Sequence, residues 1–125
     1  ELQHTPMADP FHEATRKALA DTAGEHSIPH HHSGTVITIE GPRFSTRAES
    51  RMFRSWGADI INMSTAPEAI LANEAGVPYA AIAMSTDYDC WKEDEKDVTW
   101  EAVLEIFNKN VDNVIKVITS VLPKI

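Results

Sequence analysis

The sequence predicts an α/β fold in which a mixed sheet is flanked by helices. Three observations predict it. Short β-branched or apolar runs alternate with segments of helical apolar period, the order expected when helices pack on a parallel or mixed sheet. Helix-start and helix-stop signals stand between the runs. No internal repeat, low-complexity tract or linker interrupts them, and 125 residues make one domain, 1–125, able to bury a core.

Asp9-Pro10-Phe11 reads as an N-cap followed by proline at the first helical position, with Phe11, Ala14, Ala18 and Leu19 giving a helix to about Ala23. Residues 24–34 read as a loop that carries His26, His30, His31 and His32. Residues 35–39, Thr-Val-Ile-Thr-Ile, are β-branched throughout and predict a strand. Thr46 and Glu49 form a capping-box pattern, and the following helix presents Ala48, Met52, Phe53 and Trp56 before Gly57. Residues 59–63 predict a second strand. Thr65 and Glu68 repeat the capping-box pattern ahead of a helix with Ile70, Leu71 and Ala75 that stops at Gly76. Residues 78–84 carry no formal charge and predict a third strand. A polar loop over residues 92–97 precedes the last helix, which opens at Thr99-Trp100-Glu101 and ends at Pro123. Its apolar positions Val103, Ile106, Phe107, Val111, Val114, Ile115, Ile118 and Leu122 keep a helical period.

Composition removes several function classes. With 42% hydrophobic and 24% charged residues the chain is an ordinary globular one. A formal net charge of −8 argues against a non-specific nucleic-acid or anionic-membrane surface. No apolar run approaches the roughly 20 residues of a membrane-spanning helix. Cys90 is the only cysteine, so no internal disulfide forms and a reducing, cytoplasmic location is expected. The start, Glu1-Leu2-Gln3-His4, is neither a signal peptide nor an initiator methionine, and three strands are few for such a sheet. Both lead to the expectation of further sequence ahead of Glu1.

Chemistry gathers at the predicted strand ends, where open α/β sheets place their ligands. After the third strand comes Ser85-Thr86-Asp87-Tyr88-Asp89-Cys90-Trp91. On an extended segment Asp87 and Asp89 point the same way, so their mutual repulsion raises the proton affinity of one of them. Spacing alone leaves three roles open: an acid or ligand-reading pair, oxygen ligands for a divalent cation, or a solvated or helix-capping loop. After the second strand, Ser64 and Thr65 stand at a helix N-terminus suited to phosphate, with Thr65 read as the cap and Ser64 left open. After the first strand, Phe44 can stack on a planar base or simply pack, and Arg43 can bind an anion or pair with a carboxylate. The run His30-His31-His32 is read as solvent-exposed rather than as a metal site, and Cys90, following two acids, is not expected to be a nucleophile. No metal site is expected at these histidines.

The same residues carry a resemblance. Ile39-Glu40-Gly41-Pro42-Arg43-Phe44-Ser45-Thr46-Arg47-Ala48-Glu49-Ser50 resembles the signature of the methylthioadenosine phosphorylases, in the trimeric purine nucleoside phosphorylase family. Trp56-Gly57-Ala58-Asp59, Asn62-Met63-Ser64-Thr65-Ala66-Pro67-Glu68 and Thr86-Asp87-Tyr88-Asp89-Cys90-Trp91 fit it in order and spacing. His4-Thr5-Pro6-Met7-Ala8-Asp9-Pro10-Phe11 resembles the family's middle segment.

The resemblance implies the C-terminal half of a phosphorylase/hydrolase-like fold and the phosphorolysis of 5′-methylthioadenosine to adenine and 5-methylthioribose 1-phosphate. By that likeness Asp87 is the acid at N7 of the leaving base, and Asp89 accepts from the exocyclic amine. Phe44 and Ser45 match the base-pocket segment, with Thr86 among the substrate contacts. Met63 matches a ribose contact and Ser64 a phosphate contact where relatives often have Thr. Trp100 and Val103 match the methylthio pocket, and His4 matches a residue lent to a neighbouring subunit. Adenine is expected over hypoxanthine, because a carboxylate at Asp89 would repel a 6-oxo oxygen. The implied partners are the nucleoside, adenine, phosphate as co-substrate and further copies in a homotrimer; no cofactor, nucleic acid or membrane is implied. The family's Gly-rich phosphate loop and Arg-His pair have no counterpart in this chain, so activity is expected only with a complementary first half. Two alternatives stay open: a non-catalytic purine-binding fragment, and a metal-dependent α/β enzyme using Asp87 and Asp89.

Overall fold

A computed structural model of the chain describes residues 4–94 and 99–125. Glu1 to Gln3 and part of the predicted polar loop at 92–97 lie outside the described residues. The elements run α1 (Glu13–Glu25), β1 (Val36–Thr38), α2 (Arg47–Ser55), β2 (Ile60–Asn62), α3 (Thr65–Glu74), a 3-10 turn (Asp89–Trp91), α4 (Trp100–Val121) and a closing 3-10 turn (Leu122–Lys124). The α/β expectation holds.

β1 and β2 pair in parallel, with Val36 opposite Ile60, Ile37 opposite Ile61 and Thr38 opposite Asn62. Flanking bonds from Asp59 N–H to the Thr35 carbonyl and from Ile39 N–H to the Asn62 carbonyl carry the pairing to nearly the full predicted runs. The connection is α2, as a parallel pair requires a crossover. α2 starts on the predicted capping box. The Glu49 N–H donates to Thr46 Oγ1 at 3.2 Å, and the Thr46 N–H donates to Glu49 Oε2 at 2.7 Å. Gly57 follows it at φ +84°, a left-handed value that glycine adopts without a Cβ clash.

Three element-level expectations are corrected. α1 begins at Glu13 with His12, not Asp9, at the cap; the His12 N–H is held by the Tyr79 carbonyl at 2.7 Å, which fixes where the helix starts. α1 also runs through Gly24 to Glu25. α3 is capped at Ser64, so Thr65 is its first helical residue, and Glu68 accepts from the Tyr79 hydroxyl instead of closing a box. Residues 78–84 form no strand. A strand exists through its ladder partner, and among the described residues neither β1 nor β2 pairs with this segment.

The buried apolar residues are Ala23, Ala69, Val117 and Val121. Ala23 and buried Thr22 of α1 lie with Val117 and Val121 in the α1–α4 pair. Across the same pair the His26 ring bonds the Ser120 hydroxyl at 2.9 Å, and Lys124 Nζ donates to Thr22 Oγ1 at 3.2 Å. α3 lies against β1, with Thr65 and Ala69 inside. The predicted helical periods are real, but many of the apolar side chains they align stay exposed. Trp100, Leu104, Phe107, Ile115, Ile118 and Leu122 of the last helix and its end are exposed, as are Met52, Trp56, Ile70 and Leu71. No helix among the described residues is long and apolar enough to cross a membrane.

Candidate active site

Three loops at the C-terminal ends of the predicted strands carry the candidate residues. The first, residues 40–46, leaves β1 through a cis Gly41–Pro42 peptide. Arg43 is paired, not free for an anion: its Nη1 and Nη2 reach Glu49 Oε2 and Oε1 at 2.8 and 2.7 Å, and Nη1 also donates to the Phe44 carbonyl at 3.1 Å. Arg43, and after it the Thr46 donors, hold the Glu49 carboxyl down at a pKa of about 2. This ties the Phe44 backbone to the first turn of α2, and Phe44 is 45% exposed.

The second loop, Asn62 to Thr65, turns from β2 into α3. Asn62 Oδ1 accepts from Thr38 Oγ1 at 2.9 Å and from the Thr65 N–H at 3.3 Å, and Asn62 Nδ2 donates to Thr65 Oγ1. The Ala66 N–H donates to Thr38 Oγ1 at 3.1 Å. Ser64, at φ −129° and ψ −24°, makes no side-chain cap bond.

The third loop departs from the expected geometry. Asp87 and Asp89 do not lie two apart on an extended segment. Tyr88 sits at φ −97°, ψ 14° and Asp89 at φ +55°, so the chain turns between them and the same-side alternation no longer applies. The turn is tied by the Asp87 carboxylate: Oδ2 accepts from Thr86 Oγ1 and Oδ1 from the Asp89 N–H, each at 2.7 Å. Asp is among the few residues that tolerate a left-handed φ. Beyond it Trp91 lies under the Arg54 guanidinium, 3.8 Å from its ring centroid, and Lys92 sits 3.9 Å over the Tyr88 ring.

Two contacts draw these loops together. A methyl group on Gly41 would come within 2.5 Å of Met63 Sδ, so the first loop closes directly onto the second. The Cys90 thiol donates to the Ser45 carbonyl at 3.3 Å, which ties the third loop to the first. Burial, then the charge of Asp89, raises the Cys90 thiol above its usual range, in line with the expectation that it is no nucleophile. The loops that carry Phe44 and Ser45, Met63 and Ser64, and Thr86, Asp87 and Asp89 are therefore joined to one another. Gly41 and Cys90 are the residues that sequence reasoning did not single out as joints. Glycine next to a strand end is the only local signal for such a close approach.

His4, Trp100 and Val103 are not tied to this cluster by any hydrogen bond or ring contact of their side chains among the described residues. His4 is exposed near the start of the chain, and Trp100 is 61% exposed in the first turn of α4. No group of three or more His, Cys, Asp or Glu among the described residues is arranged to hold a metal ion; the His30 and His32 rings pack edge-to-face at 4.7 Å instead. A groove of about 380 Å³ lined by His12, Ala14, Thr15, Pro78, Lys124 and Ile125 shares no residue with the cluster.

A family profile described as the phosphorylase superfamily matches residues 2–123, nearly the entire chain. The chain belongs to the phosphorylase superfamily. Among curated relatives, it is 53% identical over 122 residues to the S-methyl-5′-thioadenosine phosphorylase of Xenopus tropicalis, covering 98% of this chain and 43% of the relative. The S-methyl-5′-thioadenosine phosphorylase of Aedes aegypti is 53% identical over 123 residues, covering 98% and 44%. In three dimensions, the methylthioadenosine phosphorylase of Schistosoma mansoni in complex with adenine superposes with a TM-score of 0.91 at 42% identity, covering 96% of this chain and 48% of that one. A variant of the same parasite's adenosine/methylthioadenosine phosphorylase in complex with methylthioadenosine superposes with a TM-score of 0.88 at 41% identity, covering 96% and 46%. The chain thus spans less than half the length of these superfamily members, which agrees with a sheet of two strands and the exposed apolar helix faces. The fold is a part of the nucleoside phosphorylase fold.

Proposed function

We propose that this chain forms the base and ribose side of a 5′-methylthioadenosine phosphorylase active site and works together with a complementary first half. The observation that carries the proposal is the joining of the three loops that bear Phe44 and Ser45, Met63, and Asp87 and Asp89, in a chain 53% identical to phosphorylases named for that substrate. The exposed apolar side chains on α3 and α4 support the need for a complement, since contiguous exposed apolar patches mark interaction surfaces.

In the reaction, a phosphate oxygen forms a bond to C1′ of the nucleoside as the C1′–N9 bond breaks and its electron pair moves to the purine. Asp87 in its acid form gives its proton to N7, so adenine leaves neutral and the carboxylate remains. Expelling adenine as an anion is difficult, and a placed general acid contributes typically 10²–10⁴-fold. Asp89 accepts from the 6-amino group and thereby selects adenine over hypoxanthine. Phe44 stacks on the base, Ser45 and Thr86 border it, Met63 contacts the ribose, and Ser64 contacts phosphate. Trp100 and Val103 line the methylthio pocket, and His4 serves a neighbouring subunit of a homotrimer. All of these residue roles, and the trimer, rest on the family resemblance. Phosphate is a co-substrate, no cofactor or metal is needed, and the single cysteine fits a cytoplasmic enzyme of purine and methionine salvage.

The test is adenine release from methylthioadenosine, with and without phosphate and with and without a chelator. It is run on the chain alone and on the chain joined to a complementary half. The expected result is phosphate-dependent, chelator-insensitive release by the complemented form only. No release by that form overturns the proposal, and loss on chelation favours a metal-dependent enzyme.

A further inference from the structure

The first turn of α3 is held in an unusual way. The N–H groups that open a helix have no partner inside it, and the side chain at the cap position normally accepts from one of them. Here that side chain belongs to Ser64, and it is not used. Its work is done from outside the helix. The Thr65 N–H goes to Asn62 Oδ1 at 3.3 Å, and the Ala66 N–H goes to Thr38 Oγ1 at 3.1 Å. Thr38 and Asn62 are opposite each other in the parallel pair and joined by a 2.9 Å bond from Thr38 Oγ1 to Asn62 Oδ1. Asn62 Nδ2 closes the ring of bonds on Thr65 Oγ1. Thr38 and Asn62 are only partly buried, while Thr65 is buried at 6% exposure.

The arrangement has two consequences. The Ser64 hydroxyl, relieved of capping, makes no hydrogen bond among the described residues and stands exposed next to Met63. The groups that replace it are neutral. An aspartate in the place of Asn62 could still accept from the Thr65 N–H, but would set a negative charge against the positive end of α3, where an anion is to sit.

We infer that Thr38 and Asn62 are positioning residues for the phosphate co-substrate: by capping α3 from the strands, they free the Ser64 hydroxyl and hold it in register with Met63, without placing a charge beside it. The inference rests on the proposed role of Ser64 as a phosphate contact. Neither Thr38 nor Asn62 touches phosphate. Each acts through the turn it fixes.

The test compares Thr38→Val, Thr38→Ser and Asn62→Asp in the complemented, active enzyme, with the KM values for phosphate and for methylthioadenosine measured separately. The same variants of the complemented enzyme are titrated with inorganic phosphate while the amide NMR signals of Ser64 to Ala66 are followed. Thr38→Val removes the hydroxyl at nearly constant volume, and the phosphate KM is expected to rise about tenfold, the size of one lost hydrogen bond. The nucleoside KM at saturating phosphate should change little, a split that a general loss of stability does not produce. Thr38→Ser restores the hydroxyl and should restore the phosphate KM. Asn62→Asp should raise it by more than Thr38→Val does. If Thr38→Val and Asn62→Asp leave the phosphate KM and the phosphate-induced shifts as in the wild type, or if both KM values rise together, the inference is overturned. If the wild type itself shows neither phosphate-dependent turnover nor phosphate-induced shifts, the assignment of Ser64 falls, and the inference falls with it.

Discussion

Gly41 lies so close to Met63 that a methyl group added to it would stand 2.5 Å from the Met63 Sδ and 3.4 Å from its Cγ. The loop after β1 and the loop after β2 therefore share a wall that only a residue without a side chain can make. Gly41→Ala forces Met63 to turn aside. The thioether is flexible, so the expected change in melting temperature is small. The ribose contact assigned to Met63 is displaced, and misplacement of about 1 Å can cost up to roughly 10²-fold. In the complemented enzyme, Gly41→Ala is expected to lower kcat/KM for methylthioadenosine by about 10- to 100-fold. An unchanged kcat/KM would show that Met63 does not set the ribose position.

Asp87 is bonded through both carboxylate oxygens, to the Thr86 hydroxyl and to the Asp89 N–H. Asn in its place keeps the shape, and its amide oxygen can still accept from the Asp89 N–H, so the turn should survive. What is lost is the transferable proton. Asp87→Asn is expected to cost about 10²–10⁴-fold in kcat for adenine release, with an unaltered circular dichroism spectrum. A rate near that of the wild type sinks the acid role.

Much of this cluster is legible in the sequence, and the reason is locality. The Thr46–Glu49 capping box involves residues three apart in one helix turn, so the pattern alone specifies it. The strand runs at 35–39 and 59–63 are legible because short apolar or β-branched runs stand between clear helix start and stop signals. The failures are non-local. Thr65 reads as a cap because nothing local reveals that the parallel register brings Thr38, from 28 positions before Ala66, to the helix start. Residues 78–84 read as a strand on composition, but a ladder needs a neighbour, and the described residues supply none. The left-handed turn at Asp89 is hidden for a third reason. Asp tolerates that backbone without demanding it, so an alternation argument over Asp87 and Asp89 has no warning that it fails.

That backbone also decides how Asp89 is best tested. Asn is as tolerant of φ +55° as Asp is, so Asp89→Asn alters the chemistry of the side chain and leaves the loop in place. The carboxylate accepts only; the amide can also donate, and so can serve a 6-oxo oxygen. The ratio of kcat/KM for methylthioadenosine to that for methylthioinosine is expected to fall by about tenfold or more, corresponding to the loss of one discriminating polar contact. If the ratio stays constant, some other residue reads the 6-position. Asp89→Val gives the control in the other direction: a β-branched residue is strained at this φ, so this variant should lose stability as well as selectivity.

The Arg43–Glu49 pair yields a pH signature. The Glu49 carboxyl is lowered from its ordinary value of 4.5 to about 2, first by the Arg43 guanidinium and then by the Thr46 donors. A group whose pKa falls on folding binds fewer protons folded than unfolded, so it contributes stability above its unfolded pKa and loses that contribution as pH falls toward the folded value. The window here runs from 4.5 down to about 2. Glu49→Gln keeps the size and one acceptor but lacks the charge. The wild type is therefore expected to melt higher than Glu49→Gln at pH 7, with the gap shrinking steadily below pH 4.5 and closing near pH 2. The pair is solvent-accessible, with side-chain exposures of 62% for Arg43 and 31% for Glu49, so added salt should narrow the gap at pH 7 as well. Melting curves of the two proteins from pH 7 to pH 2, at low and high salt, check both dependences. A gap that stays constant with pH would mean that the charge on Glu49 does not hold the Phe44 loop against α2.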